Sequence, residues 1–135
     1  MKYPYWKVAA EKEGDPWIRR PIVRVTLKGP KRDMELTALV DSGSDYSLFH
    51  VDVAEALGID LATCERSEVT GIEYVPSMCL VADVSATVEH LAPVTMPIMF
   101  WERQPISLIG QVGFFDKHRI KFERDHDTFE ITPVR

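Results

Sequence analysis

At 135 residues the chain is long enough for one domain with a sizeable core. Its net charge of −5 has acidic and basic residues interspersed, and the basic clusters Arg19-Arg20 and Lys28, Lys31 and Arg32 are short, which argues against a nucleic-acid-binding face. No apolar run approaches the length of a membrane span, and the start Met1-Lys2-Tyr3-Pro4 lacks a signal peptide's hydrophobic core, so a cytoplasmic location is expected, with Cys64 and Cys79 kept reduced.

Residues 1–18 mix aromatics, charges and Pro4 without a clear period and read as an N-terminal arm, leaving 19–135 as the domain. Val23, Val25 and Leu27 alternate, as do Met34, Leu36, Ala38 and Val40, which predicts a hairpin of Pro21 to Lys28 and Met34 to Val40 joined by Gly29-Pro30-Lys31-Arg32. A short strand is expected at Tyr46 to His50. A helix follows over Val53 to Leu57, with Asp52 as its cap, Glu55 completing a capping box and Gly58 after the last turn. Met78, Leu80, Ala82, Val84, Ala86 and Val88 alternate in a long strand, linked to the strand before it by a turn within Val69 to Pro76. Further strands are predicted at Val94 to Phe100 and Ile106 to Ile109. One helical turn is expected within Gln111 to Lys117, then a hairpin of Arg119 to Arg124 and Thr128 to Thr132 around Asp125-His126-Asp127. Many short strands with one or two short helices imply an all-β domain, closed or nearly closed.

The chemistry concentrates where Leu39-Val40 runs into Asp41-Ser42-Gly43-Ser44. Asp-Ser-Gly alone is ordinary turn chemistry, but here it delivers a carboxylate at the end of a core strand. Together with Ile106-Ser107-Leu108-Ile109-Gly110, it resembles the signature of retroviral-type (retropepsin-like) aspartic proteases. The element order from about Pro21 to Pro133 is also similar to theirs, closest in look to the bacterial retropepsin-like proteins and to the protease domain of eukaryotic ubiquitin-receptor proteins.

The resemblance implies a single-lobe, closed acid-protease barrel and an endopeptidase acting on polypeptides without metal or cofactor. Asp41 is then the catalytic carboxylate. Asp41-Ser42-Gly43 occurs once, so the second aspartate must come from another copy of the chain, a homodimer. The terminal strands point the same way, since their edges need partners. In such enzymes two carboxylates within about 3 Å share one proton, one acting as base and the other as acid. By the same resemblance Ser42 bonds across the dimer axis, Gly43 lets the backbone approach the carboxylate, and Ser44 is placed to donate to Asp41. Asp45 matches a frequent acidic position, and Gly71 and Ile72 belong to a flap over the substrate. Two features depart from the family: Val112 stands where many members have Asp or Asn, so the next helical turn is capped differently, and the flap segment has one glycine.

Other chemistries find less support. A serine hydrolase needs a histidine beside Ser42 or Ser44, and His50, His90, His118 and His126 are scattered. Asp125-His126-Asp127 points its side chains in different directions and reads as a solvated turn rather than a metal site. The rival to a peptidase is a non-catalytic dimerisation or peptide-binding module on the same fold.

Overall fold

A computed structural model describes residues 1–10, 14, 17–70 and 76–134. The chain opens with β1 (Lys2–Pro4) and a hairpin of β2 (Trp6–Ala9) and β3 (Trp17–Arg20). Then β4 (Ile22–Lys28) buries Val23, Val25 and Leu27, and β5 (Asp33–Val40) buries Ala38 and Val40, as their alternation requires. After β6 (Ser47–His50) and the helix α1 (Val51–Leu57) come β7 (Glu65–Thr70), β8 (Pro76–Val88), β9 (Val94–Trp101) and the two-residue β10 (Leu108–Ile109). The chain ends with the hairpin β11 (His118–Glu123) and β12 (Thr128–Pro133).

Six strands close a barrel in the order β4-β5-β10-β6-β9-β8, with β8 returning to β4. Strand length makes this possible. At 13 residues β8 spans about 43 Å when extended. One of its edges pairs with β9; the other is shared, first by β7 over Pro76 to Val81 and then by β4 over Ser85 to Val88. The last residues therefore close the barrel, while the first carry β7 as a two-stranded ribbon. Phe49, Phe100, Leu57, Ile98 and Ile109 fill the interior.

Three elements differ from the sequence reading. The helix begins at Val51, so Asp52 lies in the first turn and does not cap it. The cap is His50, whose Nδ1 accepts the Asp52 N–H at 3.0 Å. His50 closes β6 in extended conformation immediately before the helix, which places its imidazole over the free amides. Only Leu108 and Ile109 of the expected strand Ile106 to Ile109 join the ladder. The helical turn within Gln111 to Lys117 shortens to a 3-10 turn over Phe115–Lys117, with Asp116 accepting the Gly113 N–H at 3.0 Å.

The segment read as an arm, 1–18, also carries strands. β1 pairs with β12, giving the sheet order β1-β12-β11, so one edge of β12 that the sequence reading left for a partner is covered within the chain. Tyr3 is buried, stacks on Phe129 at 5.3 Å and donates its hydroxyl to the Glu89 carbonyl at 2.5 Å. A three-residue strand around Pro4 is too short to show a period, and its partner lies at the other end of the chain. Cys64 and Cys79 are free thiols, both pushed upward in pKa by burial.

Burial, with the Glu89 charge adding to it, raises the Tyr3 phenol from 10.0 to about 12. The folded state holds this proton more tightly than the unfolded chain does. Stability from Tyr3 is therefore complete below pH 10 and is lost as pH rises from 10 to about 12. Tyr3→Phe is expected to flatten that part of the decline. The check is urea unfolding between pH 9 and 12, comparing slopes so that the cysteines and Tyr5, common to both proteins, cancel.

Candidate active site

Strand β10 lies between β5 and β6, parallel to β5 and antiparallel to β6, with Leu108 opposite both Leu39 and Leu48. The connection from β5 to β6, residues 41–46, must therefore cross over the end of β10, two strand spacings or about 9.6 Å. Asp41 stands at the start of that crossing.

Backbone bonds pin the crossing loop to the chain beneath it. The Asp41 N–H donates to the Ile109 carbonyl at 2.9 Å, and the Gln111 and Val112 N–H groups donate to the carbonyls of Ser44 and Asp45 at 2.9 and 2.8 Å. The Gly110 N–H donates to the hydroxyl of Ser47 at 3.1 Å. Gly110 has to be glycine because a Cβ there would strike the carbonyl oxygens of Tyr46 and Ser44. The two sequence motifs are thus one structure, a carboxylate-bearing loop laid across a glycine.

Asp41 is half-buried. Its Oδ1 accepts the Gly43 N–H at 2.9 Å, which orients the carboxylate and turns the loop. A Cβ on Gly43 would approach that Oδ1 to 3.2 Å, so the glycine leaves the carboxylate uncrowded. Ser44 departs from expectation. Its hydroxyl donates to the Tyr46 carbonyl at 2.6 Å, not to Asp41. Ser42 is exposed, and its carbonyl accepts from the Gln111 side chain at 2.8 Å. No histidine hydrogen-bonds to Ser42 or Ser44 among the described residues. Gly71 and Ile72, expected at the flap, lie outside the described residues.

Two supports were not singled out in the sequence. Ser47 is fully buried, accepting from Gly110 and contacting Met96 Sδ at 3.8 Å. Its signal was available: it shares the inward parity of Phe49, where a polar residue needs an explanation. Gln111 carries no such signal beyond its place after Gly110.

Beside the loop runs a groove of about 460 Å³ whose walls include Val8, Arg20, Ile22, Leu39, Pro105 and Ile106. Leu39 lies two residues before Asp41, about 7 Å along the strand, so the groove starts close to the carboxylate. Its far wall comes from β2, in the segment that showed no period. The groove suits an apolar side chain, with one guanidinium at its side.

An exposed 3-10 turn spans Arg124–His126, and its half-buried C-cap Asp127 is taken up by Arg19 at 2.8 Å and Arg124 at 2.6 Å. Among the described residues no group of three or more His, Cys, Asp or Glu is placed to hold a metal ion, and no helix is long and apolar enough to cross a membrane. The chain matches no protein-family model, and no curated protein matches it significantly.

Proposed function

We propose that the chain is a retropepsin-like aspartic endopeptidase that works as a homodimer, with one Asp41 from each copy forming the catalytic pair. The observation that carries this reading is the half-exposed Asp41 carboxylate on a loop laid across the threaded Gly110 and held by backbone hydrogen bonds. Such a loop suits catalysis because it fixes the carboxylate without help from a mobile side chain.

In the dimer one Asp41 is ionised and the other protonated. The ionised carboxylate takes a proton from a water molecule as its oxygen forms a bond to the scissile carbonyl carbon. The protonated one hydrogen-bonds the carbonyl oxygen and transfers its proton as the tetrahedral intermediate forms. The first Asp41 then gives the proton it took from water to the amide nitrogen, while the second takes one back from a hydroxyl of the intermediate; the C=O bond reforms, the C–N bond breaks and the pair is again singly protonated. An apolar side chain of the extended substrate fits the groove beside Leu39 and Ile106.

The purified chain, incubated with a peptide library, is expected to cleave beside apolar residues. The rate should be bell-shaped in pH, falling when the pair gains a second proton and when it loses the shared one. A peptide with a secondary alcohol in place of the scissile carbonyl should inhibit. A rate that rises steadily through pH 8 at every protein concentration, or an alcohol peptide without effect, would exclude the carboxylate pair. Absence of cleavage with a stable dimer would favour a peptide-binding module.

A further inference from the structure

The N-terminal hairpin has a second face, turned away from the groove. There Lys7 and Arg19 stand directly opposite each other in the β2–β3 ladder. Like charges in that position oppose pairing. Arg124, from the turn between β11 and β12, joins them, and with Ile18 and Trp17 they line a shallow pocket of about 300 Å³. Trp17 is 60% exposed, more than any other large apolar side chain described.

Among the described residues only Asp127 answers these three cations. It pairs with Arg19 and Arg124, whose guanidinium also lies 5.8 Å from the Tyr5 ring centroid, and Lys7 has no acidic partner among the described residues. The excess is local. The chain as a whole carries −5, so a cationic pocket floored by an exposed indole does not follow from composition. Arg24, on the groove side of the same hairpin, makes the contrast: it packs on Trp6 at 5.1 Å and is met by both Glu35 and Glu89.

We propose that this pocket binds an acidic polypeptide segment, with carboxylates on Lys7, Arg19 and Arg124 and a neighbouring aromatic or aliphatic side chain on Trp17. An occupant of this kind would relieve the Lys7–Arg19 opposition and cover the indole together. Three cations around one aromatic ring are too few to track a nucleic-acid backbone. The site is separate from Asp41 and does not depend on peptidase activity.

The test uses the Asp41→Asn chain, so that nothing is cleaved, and follows the Trp17 indole N–H by NMR. The probes are the acetylated peptide Glu-Asp-Phe-Asp-Glu, its uncharged counterpart Gln-Asn-Phe-Asn-Gln, inorganic phosphate, and vesicles containing phosphatidylserine. The acidic peptide should shift the Trp17 signal, the uncharged one should not, and added salt should weaken binding. Lys7→Glu should bind about tenfold more weakly, and Lys7→Gln should fall between the two; neither should melt below the parent, since Lys7 is exposed and either change removes its opposition to Arg19. Four results would overturn the proposal. These are equal binding of the two peptides, unchanged binding by both Lys7 variants, tighter engagement by phosphate or vesicles than by the peptide, and no binding even at low salt.

Discussion

Asp41→Asn is expected to lower peptide hydrolysis by at least about 10³-fold, the loss that follows removal of a general acid–base group, while leaving fold and dimer intact. The amide keeps an oxygen at Oδ1, so the Gly43 N–H retains its acceptor and the loop its turn. Thermal unfolding should therefore change little. The sharper test is a mixture. If the two carboxylates act as one unit, randomly paired dimers from equal amounts of wild type and variant should retain about one quarter of the wild-type activity of an equal total concentration, since only wild-type homodimers work. If each subunit acted alone, about one half would remain. A variant homodimer that cleaves at wild-type rate would remove Asp41 from the mechanism altogether.

Gly110→Ala is expected to be strongly damaging for the addition of a single methyl. The new Cβ would lie 2.6 Å from both the Ser44 carbonyl oxygen and the Tyr46 carbonyl carbon, and nearer still to the Tyr46 oxygen. These are backbone atoms and cannot rotate aside. Relief requires lifting the crossing loop, which breaks the bonds from Gln111 N–H to Ser44 and from Gly110 N–H to Ser47. A cost of about 3 kcal/mol or more is expected, read as a lower urea midpoint with the slope unchanged. Ser44→Ala is the control. It removes only the bond to the Tyr46 carbonyl and should cost about 1 kcal/mol. Because the loop carries Asp41, Gly110→Ala should also depress hydrolysis in whatever fraction remains folded. If Gly110→Ala unfolds at the wild-type midpoint, the loop is not held as described.

Much of this architecture is legible in the chain before any coordinates. The inward sets Val23, Val25, Leu27 and Val84, Ala86, Val88 follow from a period of two, because a half-buried strand must alternate. Gly58 ends the helix where the pattern puts it. Asp41 and Gly110 are each readable as the residue at which an apolar strand stops. What escapes is local and polar. The helix cap passes to His50 rather than Asp52, and the Ser44 hydroxyl turns to Tyr46 rather than Asp41. Several acceptors lie within reach of such groups along the chain, and only the path of the backbone selects among them.

The sequence by itself determined the strands from β4 onward in outline and the all-β character of the barrel, because hydrophobic periodicity is a property of neighbours a few residues apart. It also placed one carboxylate and one glycine at strand ends. Tertiary structure alone decided that β10 passes between β5 and β6, which turns those two residues into a loop crossing a glycine. It decided too that β1 covers β12, with Tyr3 in the core, and that the β2–β3 hairpin walls the groove on one face and presents its cations on the other. These contacts join residues from opposite ends of the chain. Short segments carry no periodic signal of such partners, and the energy that selects them is burial that exists only once the barrel has closed.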